Sequence, residues 1–433
     1  MIPQDSQGAP QDRRARGMPR GNPETTGRYV VVLADNTDPA AVFADVAGLR
    51  TVASSRDYGE QALDMDEVAG ADATMFAQLG MAVVSADPSQ SGALRAAVQD
   101  SGTPVLAVVP ELVYHVLADP AYLQGYRDGV EDLARRLGSG EGAPGDGDAP
   151  AYEDTDEATW GLQALGITAD SPTGAGVRVA VLDTGLDLEH PDFAGRRVTS
   201  KSFVEGQSAQ DGHGHGTHCI GTACGGVSQD GRRYGVASEA EIYAGKVLGD
   251  QGSGSDAGIL AGINWAVANQ CAIVSMSLGA DVPEPHPPYT FAGRRALEQG
   301  TLIIAAAGNN ADRPDDPGFV GAPANSPEIM AVAALDAFLD IARFSARSLP
   351  GPGGQVDLAG PGVEVFSSWP MPERHNTISG TSMATPHAAG VAAVWAGVTG
   401  RRGLELWATL DKQCRRLELP SVDVGAGLVQ VGS

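Results

Sequence analysis

The sequence predicts an α/β protein built on a doubly wound parallel sheet, preceded by a small α+β module with a ferredoxin-like order of elements. Three observations carry that expectation. Residues 177–182, 241–248, 272–276, 302–306 and 329–334 are short apolar runs, which is how strands covered by helices on both faces read. Helical stretches at 215–224, 256–269 and 289–299 fall between several of them, the alternation that produces a parallel sheet. The chain of 433 residues is too long for one small domain, and residues 138–150 are almost entirely Gly, Ala, Pro and acidic residues, a composition that buries no core and marks a linker.

Taken in order, residues 1–26 are polar, with several Arg, Pro and Gly, and read as a disordered tail. They lack the apolar centre of a secretory signal, so no export address is expected. Structure is predicted to begin at 28–33, RYVVVL. An amphipathic segment at 39–49, a strand near 51–55, a strand at 81–84, a helix at 89–100 and a strand at 105–109 then give a β-α-β-β-α-β module over 27–118. In 122–137, Leu123, Tyr126, Val130, Leu133 and Leu137 recur at helical spacing, so residues 119–155 are expected to be a helix and a flexible linker. The second domain then runs over 156–433 and is expected to close at GAGLV, 425–429, without a further domain.

Charge and composition exclude several classes. There are 54 acidic against 29 basic residues, a formal charge of −25, which argues against nucleic acid because phosphates need a basic face. No apolar run approaches the roughly 20 residues that span a bilayer, so no membrane partner is expected. Cys219, Cys224, Cys271 and Cys414 are too sparse for a disulfide framework and have no Cys-x-x-Cys spacing for a metal.

The chemistry is concentrated in GTSMATPH, 380–387, where small residues surround Ser382 at the start of an apolar helical run. Unpaired N–H groups and the macrodipole at such a helix start favour negative charge, which suits an acyl-transfer nucleophile. A lone serine there is more often an N-cap. A nucleophile needs a base and the base an orienting carboxylate, and two upstream stretches supply them. Asp183 ends the strand 177–183 at a Gly turn, and His215 opens a helix after the Gly-rich 211–214. His213 and His218 are rivals for the base. The order Asp, His, Ser is one of the known orders of such a triad.

Five stretches, DTG at 183–185, HGTHC at 215–219, SLG at 277–279, AAAGN at 305–309 and GTSMA at 380–384, fall in register along 156–433. In these the sequence resembles the subtilisin-type serine proteases, the subtilases. The resemblance implies a subtilisin-like fold and a serine endopeptidase in which Asp183, His215 and Ser382 form an acyl-enzyme, with Asn309 donating to the oxyanion. It implies that substrate pairs as an added strand between Gly252, Ser253, Gly254, Ser255 and Ser277, Leu278, Gly279. Ala305, Ala306, Ala307 and Gly308 would wall the pocket for a large apolar residue before the cut, with residues 319–321 at its floor. Asp312, Asp315 and Asp316 would either attract a basic side chain or form a solvated loop. Cys219 is expected as a buried free thiol.

No cofactor is expected for the chemistry, and calcium only as a structural ion. Asp192 matches a family calcium ligand, but the loop 226–234 departs from the subtilisin pattern, leaving Gln229 and Asp230 as oxygen donors or an ordinary loop. In position, size and order of elements, residues 27–118 resemble the inhibitory propeptide of the family. The expected partners are therefore protein or peptide substrates and the chain's own N-terminal domain, acting as an intramolecular inhibitor of a monomeric zymogen. Its last strand would enter the active site, and a break is expected within 115–158. The alternative is a catalytically silent, permanently capped binding protein on the same fold.

Overall fold

The computed structural model describes residues 23–35, 37–117 and 151–432. Residues 1–22 of the tail expected over 1–26, the helix at 122–137 and the linker at 138–150 lie outside the described residues, and Thr25 and Thr26 at the end of that expected tail instead open a strand, paired with the strand that ends the N-terminal part.

The N-terminal part contains β1 (Thr25–Leu33), α1 (Pro39–Ala47), β2 (Val52–Ser54), α2 (Met65–Val68), β3 (Ala73–Phe76), β4 (Met81–Val84), α3 (Pro88–Ala97) and β5 (Val105–Val116). The helix starts follow from local sequence. Asp38 accepts from Ala40 N–H ahead of Pro39, and Asp87 with Gln90 forms a reciprocal capping box around Pro88. The strands are ordered β5-β1-β4-β3-β2, antiparallel except for β2 with β3. Residues 73–76, not 51–55, supply the hairpin partner of β4, so β2 becomes an added edge strand.

Side chains alternate across a strand. Val31 and Leu33 therefore pack under Phe43 of α1 and Leu94 of α3, while Val30 and Val32 join the core of the second domain on the opposite face.

The second domain runs α4 (Trp160–Ala164), β6 (Arg178–Asp183), β7 (Val198–Ser202), α5 (His215–Cys224), β8 (Glu241–Lys246), β9 (Ser253–Ser255), α6 (Asp256–Ala268), β10 (Ile273–Met276), β11 (Leu278–Gly279) and α7 (Pro287–Glu298). It continues with β12 (Leu302–Ala306), β13 (Met330–Leu335), β14 (Leu358–Pro361), β15 (Val365–Ser368), β16 (His375–Ile378), α8 (Thr381–Thr399), α9 (Gly403–Gln413) and α10 (Ser421–Val424). Seven parallel strands lie in the order β14-β13-β12-β10-β6-β8-β7. Helices α5 and α8 pack together on the sheet, and α6 and α7 form a second pair against it. Succession reverses at β6, whose neighbours are β8 and β10, and a crevice forms at such a switch point beyond the strands' carboxyl ends. Asp183 is the last residue of β6. No described helix is long and apolar enough to cross a membrane.

The two parts share a ladder. The first half of β5 pairs with β1, and its second half leaves that sheet to lie between β9 and β11, antiparallel to both. Val113, Tyr114 and His115 face Ser255, Gly254 and Ser253, while His115 and Val116 face Gly279 and Leu278.

Candidate active site

Asp183 and His215 meet at the switch point. His215 Nδ1 lies 2.7 Å from Asp183 Oδ1, which also accepts from Thr184 N–H at 2.8 Å. Both side chains are buried. Burial, the largest single effect, works against a charged imidazole, but the charge and hydrogen bond of Asp183 and the neighbouring Cys219 together hold the His215 pKa well above its ordinary value. In the neutral imidazole, with Nδ1–H donating to Asp183, Nε2 is the acceptor, and among the described residues it has no hydrogen-bond partner. Ser382, the second residue of α8, donates from Oγ to Ser277 C=O at 3.2 Å, and Ser277 Oγ donates back to Ser382 C=O at 2.8 Å. Ser382 Oγ is thus directed to Ser277 rather than to His215; such links commonly tighten only with substrate in place.

Asp211 is a site residue that sequence reasoning passed over. Its buried carboxylate accepts from Thr184 Oγ1, from the N–H groups of His213, Gly214 and Thr217, and from Thr217 Oγ1, at 2.7–2.9 Å. It thereby ties the start of α5, and His215 with it, to the end of β6. The available signal was an acid four residues ahead of His215 at a helix start, where a carboxylate satisfies free N–H groups.

Asn309 follows β12 by three residues. Its Oδ1 accepts from Thr381 N–H at 3.0 Å and Thr381 Oγ1 at 2.8 Å, which fixes the amide's orientation and turns Nδ2 outward. Nδ2 donates to the carbonyl of Leu117, the residue after β5. Gly380 lies against the same carbonyl: a Cβ there would stand 3.1 Å from Leu117 O and 3.2 Å from Asn309 Nδ2. Glycine keeps that approach open.

The remaining residues fall as follows. Gly252 C=O accepts from Val116 N–H at 2.9 Å, and Ser253, Gly254 and Ser255 form β9. Leu278 and Gly279 form β11; a Cβ on Gly279 would come within 2.9 Å of a Leu117 methyl, so its absence leaves room for that side chain. Ala305 and Ala306 are buried within β12, and Ala307 and Gly308 continue past its end. Gly321 N–H donates to Ala307 C=O, which brings residues 319–321 beside that wall. Asp312 is exposed and pairs at 2.8 Å with Arg343 of the β13–β14 connection, and Asp316 accepts from Gly318 N–H within its own loop. His218 Nε2 bonds Val365 C=O, and burial pushes its pKa down to about 3; His213 neighbours His215 without reaching Asp183.

Cys219 is a buried free thiol with Sγ 3.8 Å from His215 Nδ1 and 3.6 Å from Ser382 C=O. Asp183, His215 and Cys219 bring three donor atoms within 4.8 Å, a spacing that fits a metal. Yet burial pushes the thiol pKa up, keeping it protonated, and His215 Nδ1 is committed to Asp183.

Asp192 corrects an expectation. Its Oδ1 accepts from Arg374 Nε at 3.1 Å and Nη2 at 2.7 Å, and its Oδ2 lies 2.8 Å from His375 Nε2 and 2.9 Å from the Tyr234 hydroxyl. Arg374 Nη1 also donates to Gln229 Oε1 at 2.6 Å. The guanidinium engages Asp192 and Gln229, two of the three side chains offered to calcium beside Asp230, so the residues at this site do not fit that ion.

A family model described as the subtilase family (Peptidase_S8) matches residues 174–401. Subtilisin Savinase of Lederbergia lenta is 40% identical over 261 residues, covering 58% of this chain and 91% of its own. Subtilisin-like protease 2 of Pseudogymnoascus destructans is 38% identical over 268 residues, 58% of this chain, and the match spans only 62% of that protein's length. Among solved structures, sphericase superposes with a TM-score of 0.55 at 32% identity, covering 63% of this chain and 97% of its own.

Proposed function

We propose, from the premise that this chain belongs to the subtilase family, that it is a serine endopeptidase made as a self-inhibited zymogen. The observation that carries the reading is the chain's own Leu117 carbonyl, held by Asn309 Nδ2 at the end of a strand paired on both sides. An extended peptide in that position is bound through its main chain, as a substrate would be.

In the reaction, Ser382 Oγ attacks the carbonyl carbon while His215 Nε2 takes its proton, and Asp183 stabilises the imidazolium so formed. The developing oxyanion is met by Asn309 Nδ2 and by backbone N–H at the start of α8. As the C–N bond breaks, His215 returns the proton to the leaving amine. Water then hydrolyses the acyl-enzyme by the same route in reverse. Subtilase chemistry needs no cofactor.

Residues 27–117 act on this reading as the intramolecular inhibitor, and the bond after Leu117 is the one first cut. The wild-type chain should accumulate a product whose N-terminus is Ala118, read by N-terminal sequencing, and should react with a fluorophosphonate. Ser382→Ala should stay one full-length chain and neither label nor turn over peptide, with its fold intact. A Ser382→Ala chain that still cleaves itself, or a wild type that remains whole while fully active, would overturn the assignment.

A further inference from the structure

Tyr114 lies three residues before Leu117 on β5 and is fully buried, although it belongs to the strand that fills the cleft. Its ring meets Tyr289 of α7 edge to face, with centroids 5.5 Å apart. Beside them is Asp256, the first residue of α6, also fully buried. Asp256 Oδ2 accepts from Leu112 N–H at 2.7 Å and lies 3.1 Å from His286 Nε2. Asp256 Oδ1 and the hydroxyls of Tyr114 and Tyr289 are buried without a well-aligned hydrogen-bond partner among the described residues. The groups nonetheless act on one another: burial and then the Asp256 carboxylate push the Tyr114 pKa well up, and burial, Tyr114 and Asp256 do the same to Tyr289.

A carboxylate inside a pocket otherwise shaped for an aromatic ring changes what the pocket accepts. An apolar side chain entering it leaves Asp256 Oδ1 no donor beyond the Tyr289 hydroxyl already there, whereas a phenol brings one of its own. Sites built to hydrogen-bond a hydroxyl reject the analogue that lacks it far more strongly than apolar pockets reject an extra methylene.

We propose that Asp256 is a specificity-determining residue that makes the enzyme select tyrosine three positions ahead of the residue whose carbonyl is attacked. The inference rests on the endopeptidase reading and goes beyond it by naming the substrate class. Four acylated peptide nitroanilides, X-His-Val-Leu with X as Tyr, Phe, Lys or Ala, are compared on the full chain after it has processed itself. Tyr should exceed Phe in kcat/KM by on the order of tenfold to a hundredfold. Asp256→Ala should bring the two to about equal rates; Asp256→Asn, which keeps shape and acceptor but not charge, should lower the ratio partway and guards against a fold defect at the start of α6. Equal cleavage of Tyr and Phe by the wild type, a preference for Lys, or a ratio unchanged in both variants would overturn the inference while leaving the protease reading standing. Failure to cut any peptide together with failure to label with fluorophosphonate would overturn both.

Discussion

At His215 opposing effects act on one proton: burial, the largest single effect, disfavours the imidazolium, and the charge and hydrogen bond of Asp183 together with the neighbouring Cys219 more than reverse it. Because Nε2 must be neutral to accept from Ser382, kcat/KM should rise with pH through a His215 titration placed above the ordinary imidazole value, and level off on the alkaline side. Asp183→Asn should move that inflection down and lower kcat by about 10⁴-fold, since the wrong tautomer then faces Ser382. Steady-state rates across pH check both. At Asp192 desolvation raises the carboxyl pKa, but hydrogen bonds from His375, Arg374 and Tyr234 more than reverse it and leave it well below the usual carboxylate range. The folded pKa is depressed, so this stabilisation is fully present above the unfolded value of about 4 and is lost as pH falls below it. Arg374→Ala should cost about 3 kcal/mol and lower Tm at neutral pH, whereas chelator or added calcium should leave the wild-type Tm unchanged. Residues flanked by their own small-residue motif, such as Asp183, His215, Ser382 and Asn309, could be picked out from the sequence. Arg374 and Asp256 could not, because each takes its meaning from a partner more than a hundred residues away, Asp192 and Tyr114.

Among the elements, the unbroken apolar runs of β6, β8, β10, β12 and β13 announce a doubly covered sheet. The four-residue β3 and the polar hairpin of β15 and β16 carry too little periodicity to stand out. Nor does sequence reveal that β5 divides its pairing between two sheets. The junction is marked by Glu111, whose buried carboxylate accepts from Ala257 N–H at the start of α6 and from Arg28 Nε and Nη2 at 2.6–2.9 Å, and also from Thr26 Oγ1. One side chain thus caps a helix of the second domain and holds the start of β1. Glu111→Ala should cost about 2–3 kcal/mol, mostly from donors left unmatched. In a Ser382→Ala background, calorimetry should show the single transition separating into two, with the N-terminal part melting first; an unchanged single transition at the wild-type temperature would mean that Glu111 does not couple the parts.

For the molecule as a whole, if the chain is the self-inhibited zymogen proposed above, the continuous ladder through β9, β5 and β11 makes inhibition a question of concentration. While Leu117 remains joined to the rest of the chain, β5 is a neighbour that cannot diffuse away, present at an effective concentration on the order of millimolar. A dissolved substrate offering the same kind of main-chain pairing has to displace it at that level. Cutting after Leu117 removes no contact from the ladder, since every hydrogen bond to β9 and β11 precedes the cut. It removes only the tether. The freed fragment then holds by its own affinity against dilution, so the same strand that silences a concentrated stock would release the enzyme as the solution is thinned, with no further chemistry needed.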